Sequence, residues 1–152
     1  ASRTSSTARR APPPRTSVAP PTTTAQCGAL AGTYSCSATL NQPFTCTTQG
    51  TLPVFPSSFT GTMTLTIDNS CGGTARHVYA NGWNFAYVVG GSPTSLTTPS
   101  PLPHTIFGQY QFQSTISLTC SGSACTSGTE IHNRVSGGPT CTDRYALTCT
   151  KQ

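Results

Sequence analysis

The chain has 152 residues, 34% hydrophobic and only 7% charged, with eight cysteines and a formal charge of +5. One lysine, one glutamate and about 30% threonine plus serine argue against exposed helices and for strands, which threonine favours. Arg3, Arg9, Arg10 and Arg15 carry four positive charges; the remainder, with Arg76, Arg134, Arg144 and Lys151 against Asp68, Glu130 and Asp143, nets only one. The basic segment lacks lysine clusters and interleaved aromatics, so nucleic acid is not an expected partner, and no apolar run approaches the ~20 residues of a membrane helix.

Residues 1–26 form a separate segment. Arg3, Arg9, Arg10, Pro12, Pro13, Pro14, Arg15, Pro20 and Pro21 sit in it with a threonine run and no aromatic residue. Such a composition cannot bury enough apolar surface to offset its ordering entropy. It predicts an extended arm that docks on a neighbouring copy, and its Thr/Ser/Pro content suits O-glycosylation. The chain opens at Ala1 without a leader-like run and is expected to be a mature, processed product.

The remaining residues, 27–152, read as one domain. Cys27, Cys36, Cys46, Cys71, Cys120, Cys125, Cys141 and Cys149 are even in number, widely spaced and free of Cys-x-x-Cys pairs. This pattern predicts four disulfides and an extracellular or cell-surface location. Bridges worth roughly 2–4 kcal/mol each compensate for a thin core.

Alternation begins at Thr33 to Leu40, with Tyr34, Cys36, Ala38 and Leu40 on one face. Asn41-Gln42-Pro43 reads as a turn, which sets Cys36 opposite Cys46 in a hairpin. Gly61, Met63, Leu65 and Ile67 alternate with threonines, and Asn69 to Gly73 closes that strand around Cys71. Asn81-Gly82 suggests a two-residue type I′ hairpin. In that register Val78 faces Phe85 and Ala80 faces Trp83, so Trp83, Phe85 and Val78 are expected in the core.

Residues 90–104, with Pro93, Pro99, Pro101 and Pro103, read as a long loop. Ile106, Tyr110, Phe112, Ile116, Leu118 and Cys120 then share one parity and predict one long strand or two broken near Ser114. A Cys120–Cys125 bridge would close a short loop. A hairpin centred on Gly138 pairs Ile131 with Tyr145 and Val135 with Cys141, placing Tyr145 in the core and Glu130, His132 and Arg144 on the outer face. Cys141 and Cys149 cannot join within one extended strand, since eight residues span roughly 26 Å. Cys27, at the arm's junction, is a candidate for an intermolecular bond.

Catalytic signatures are missing: there is no Gly-x-Ser-x-Gly, His-Glu-x-x-His or phosphate-binding glycine loop. Asp143, the one acid on a core-facing position, is expected to hydrogen-bond its surroundings. His77, His104 and His132 are scattered, so neither metal nor cofactor is expected. Tyr79, Tyr87, Tyr110 and Trp83 could form a sugar platform, although strand aromatics are more often core.

Gly32-Thr33-Tyr34 and Thr142-Asp143-Arg144-Tyr145 resemble the Gly-x-Trp and Thr-Asp-x-x-Tyr signatures of lipocalins. Tyrosine replaces the tryptophan, the second spacing is shortened, and no C-terminal helix follows. The resemblance implies a barrel that binds a small apolar ligand.

Together these readings give an all-β, disulfide-stapled antiparallel β-sandwich of about eight strands, with an up-and-down β-barrel as the alternative. The expected role is that of a non-enzymatic, secreted subunit of an extracellular filament, sheath or surface assembly whose partners are copies of itself. The alternative is a secreted β-domain that binds glycans or a small apolar ligand.

Overall fold

A computed structural model describes residues 10–17, 26–46, 57–101, 103–106, 110–136 and 141–152. A 3-10 turn, Cys27–Leu30, leads into nine strands: β1 (Gly32–Cys46), β2 (Ser58–Ile67), β3 (Gly73–Tyr79), β4 (Asn84–Ser92), β5 (Ser95–Thr97), β6 (Pro103–Ile106), β7 (Tyr110–Ser121), β8 (Ala124–Ser136) and β9 (Cys141–Lys151). All pairings are antiparallel. β1 to β5 follow one another, β5 joins β7, and β7, β8 and β9 lead back to β1, which closes eight strands into a barrel. β6 is a short addition on β7. The ladder therefore runs around a single closed sheet, so the expected sandwich is replaced by its alternative, the barrel. Threonines 60, 62, 64 and 66 on β2 point outward and Phe59, Met63, Leu65 and Ile67 inward, the period-2 pattern of a strand with one wet face.

One end of the barrel is plugged. The 3-10 turn lies against the start of β1, where the buried Tyr34 hydroxyl donates to Leu30 O at 2.6 Å and accepts from Cys125 N at 3.4 Å. Lys151 Nζ donates to Ala29 O at 2.7 Å and Ser123 O at 2.9 Å and sits 5.9 Å from the Tyr34 ring centroid. The chain's one lysine thus ties the last strand to the plug. The Cys27–Cys71 bridge anchors the plug to the turn after β2, so Cys27 is an intramolecular half-cystine. Within that turn Asp68 Oδ1 accepts from Ser70 N, Ser70 Oγ and Gly72 N. These bonds, led by the Ser70 hydroxyl, hold its carboxyl below the ordinary value.

Three local expectations are overturned. Asn41-Gln42-Pro43 does not turn the chain. β1 continues to Cys46, and the irregularity is absorbed as register shifts between Leu40 and Thr45 against β9. Cys36 therefore lies opposite Cys149 and bonds to it, not to Cys46. The same ladder sets Cys46 opposite Cys141, and Cys141 is disulfide-bonded. Cys120 bonds Cys125 as anticipated, and three bridges with resolved partners fit an oxidising compartment.

The second correction is the Asn81-Gly82 hairpin. Gly82 N donates to Tyr79 O, Tyr79 N donates to Trp83 O, and only Gly82 takes a positive φ, +89°. That is a three-residue loop ending in a glycine bulge rather than a two-residue type I′ turn. The extra residue moves the register by one, pairing His77 with Phe85 and Val78 with Asn84. Val78 is consequently 37% exposed, and Trp83 is only partly buried against the core, while Phe85 and Tyr145 are fully buried. The third correction is the expected long loop. β4 runs to Ser92, β5 takes residues 95–97, and β6 begins at Pro103.

The bridges make a ranked prediction. By chain entropy, opening the loop of 113 residues between Cys36 and Cys149 costs about 5 kcal/mol, and opening that of 5 residues between Cys120 and Cys125 about 2 kcal/mol. Urea denaturation of the paired Cys→Ser variants should show the larger loss for Cys36/Cys149.

Candidate functional site

The chain's scarce ionisable groups converge inside the barrel. Two of its three acids, Glu130 and Asp143, lie at 0% and 1% exposure, with His77, His132 and Arg134 equally buried. β8 supplies Glu130, His132 and Arg134 from alternate positions, β3 supplies His77 and Tyr79, β4 Tyr87, and β9 Asp143 and Tyr145. Glu130 is the centre. Its carboxylate accepts from the Tyr79 hydroxyl and, at 2.5 Å, from the Tyr87 hydroxyl. His77 Nδ1 lies 3.1 Å from it and His132 Nε2 3.8 Å. The other ring nitrogen of His132 meets Asp143, with Nδ1 2.9 Å from Oδ1, and the His132 backbone N–H donates to the same oxygen at 3.3 Å.

Aromatic rings wall in this polar line. Phe85 stacks on His132 with centroids 4.4 Å apart and Tyr79 packs on His77 at 4.2 Å. Phe59 contacts Tyr79, Trp83 and Tyr145 with ring centroids 4.6, 5.3 and 5.1 Å apart. Gly61 is required beside His77: a Cβ there would lie 2.8 Å from Nε2 and 2.6 Å from Val78 O. Arg134 donates to Cys141 Sγ at 3.6 Å.

Burial alone would push the Glu130 carboxyl up, but its interactions with His132 and His77 outweigh it and hold the carboxyl well below the ordinary range. Burial alone would lower His132, but Asp143 and Glu130 raise it to about 9. Desolvation, then the Glu130 charge, push both Tyr79 and Tyr87 far up. Around neutrality these shifts hold Glu130 ionised, His132 protonated, and Tyr79 and Tyr87 neutral. A general acid or base works best with its pKa near the operating pH, and these groups are moved away from it.

Sequence reasoning placed Asp143 inward and hydrogen-bonded, which the structure shows. It placed Glu130 and His132 outside, and the structure reverses this. Glu130 pairs with Tyr145 and Ile131 with Arg144, one residue from the expected register. The cause is a shift in the β7–β8 ladder just after the Cys120–Cys125 pair, which flips the parity of β8 so that Cys125 and Glu130 both face in. Arg144 remains exposed outside. Tyr79 and Tyr87 are buried in the interior and form no surface sugar platform; the side chains of Tyr110, His104 and Cys46 lie outside the described residues, as do Arg3, Arg9, Pro20 and Pro21. Among the described residues, no set of three His, Cys, Asp or Glu side chains is placed to hold a metal ion, and no helix is long and apolar enough to cross a membrane.

No protein-family model, curated protein or solved structure matches this chain.

The network sets a pH window. Glu130, lowered from an ordinary 4.5, contributes stability that is present above that value and lost as pH falls. His132, raised from 6.5 to about 9, contributes below 6.5 and loses its contribution as pH rises through about 9. Thermal denaturation should therefore show maximal Tm between about 4.5 and 6.5, with a decline on either side. Glu130→Gln should cost about 3–5 kcal/mol, since it strands buried partners, and should flatten the acidic limb.

Proposed function

We propose that this chain is a secreted structural subunit that assembles with copies of itself outside the cell, its N-terminal arm reaching from one barrel to the next. The observation that carries this reading is the arm's environment: Arg10 to Ser17, the described stretch, is exposed at every residue and belongs to no strand. It holds Pro12, Pro13 and Pro14, which restrict its unbound conformations and so reduce the entropy lost on docking. The barrel body nets one positive charge against four on the arm, so bodies can approach without strong repulsion.

The interior supports the same reading. Glu130 bonds groups from β3 and β4 on the facing wall, and the Phe85 and His132 rings stack across the lumen. These side chains fill the middle of the barrel, where a small apolar ligand would otherwise sit, and their pairing holds Glu130 ionised and His132 protonated around neutrality. Both features favour a solid, inert body over a container or a catalyst.

Sedimentation of full-length protein at high concentration should show a polymer. A chain lacking residues 1–26 should remain folded, disulfide-bonded and monomeric. A full-length monomer, or a truncated chain that still polymerises, would refute the assembly role.

A further inference from the structure

Among the described residues, the β4–β5 pairing that closes the barrel covers only part of β4 and leaves a seam beside the rest, and the sequence explains why. β4 pairs with β5 only at Gly90↔Thr97, Gly91↔Leu96 and Ser92↔Ser95. Continuing that ladder would set residue 99 opposite Val88, residue 101 opposite Ala86 and residue 103 opposite Asn84. All three are prolines. Each lacks the N–H that the ladder requires, so three successive donors are missing in the one phase that matters. Pairing stops at Thr97, residue 98 bonds to Ile116 of β7 instead, and β6 continues along β7 alone.

Among the described residues no strand pairs with this edge of β4 from Asn84 to Val89. Tyr79 N donates to Trp83 O, and bonded pairs alternate along an antiparallel ladder. Phe85, Tyr87 and Val89 therefore spend their backbone groups on β3, while those of Asn84, Ala86 and Val88 point into the seam. Val88, 38% exposed, adds an apolar step on the outer face beside it. A strand edge six residues long is a ready template for an added strand.

We propose that this seam is the docking surface for the N-terminal arm of a second copy, which adds a strand to β4. The inference rests on the assembly reading above and names its surface. The arm supplies a strand-competent run, Arg15-Thr16-Ser17-Val18-Ala19, bounded by Pro14 and Pro20. Its five residues cover most of the six-residue edge. The seven residues between Ala19 and Cys27 can span up to about 28 Å, the reach available toward a neighbouring barrel. On its own barrel the described part of this run is exposed and belongs to no strand, which leaves it available to another molecule.

The test uses full-length protein and sedimentation velocity. Ala86→Pro removes one seam-facing N–H and leaves the β3 ladder intact, and should weaken assembly by about tenfold or more. Ser17→Pro in the arm should do the same, and Ala86→Val, which keeps the N–H, should assemble like the parent. Amide hydrogen exchange adds a readout independent of how well Ala86→Pro folds. Asn84, Ala86 and Val88 should be protected in the assembly and exposed in the Ser17→Pro monomer, while Phe85, Tyr87 and Val89 stay protected in both. If Ala86→Pro assembles like the parent, or the seam amides exchange freely in the polymer, the seam is not the site. Should arm deletion still abolish assembly in that case, the arm docks elsewhere and only this inference fails; if deletion leaves the polymer intact, the assembly reading fails with it.

Discussion

One buried carboxylate organises this molecule. Glu130 collects hydrogen bonds from Tyr79, Tyr87 and His77 on the facing wall and an ionic contact from His132 on its own strand. An ionised group in such surroundings is strongly unfavourable unless every lone pair is met. The surrounding strands must therefore keep the register that brings four partners to one point. That requirement explains why Gly61 lacks a side chain where the His77 ring passes and why the β8 ladder shifts ahead of Glu130. It also explains how a chain only 34% hydrophobic closes a barrel: polar bonds span the lumen and disulfides hold the wall. Replacing such a network with apolar side chains of similar volume can be neutral or stabilising, so its contribution here lies in specifying one register and one filled interior.

Much of the wall was legible from residue pattern. Threonine alternation on β2 marked a half-wet strand, Cys71 fell in the turn where it bonds Cys27, and Cys120–Cys125 followed from its short loop. The site was hidden because it depends on parity. Each inward face is set by single-residue irregularities: the glycine bulge at Gly82 and the ladder shift ahead of Glu130. Each moves a register by one, and a step of one exchanges the inside and outside of a strand. Ile131 and Val135 look like core beside Glu130 and His132, so hydrophobic pattern alone chooses the wrong face. The available signal was compositional. A chain with three acids and three histidines places Glu130 and His132 two residues apart, the spacing that sends both to one side of a strand.

The prolines at 99, 101 and 103 show the same dependence. Read as composition they suggest a loop. Read in the phase of the β4–β5 ladder they are three missing donors on one edge, the device by which strands avoid pairing. Among the described residues, no strand pairs with the edge of β4 that faces away from β3 between Asn84 and Val89, and Arg10 to Ser17 belongs to no strand.

The most direct measurement is the side-chain carboxyl signal of Glu130, followed by carbon-13 NMR through an acid titration of the native protein. The cross-barrel network predicts a carboxylate that stays ionised well below pH 4.5, its signal unchanged until the barrel unfolds. A Glu130 carboxyl that titrates near 4.5 in the folded protein, as a solvated glutamate does, would contradict the buried network and the filled interior built on it.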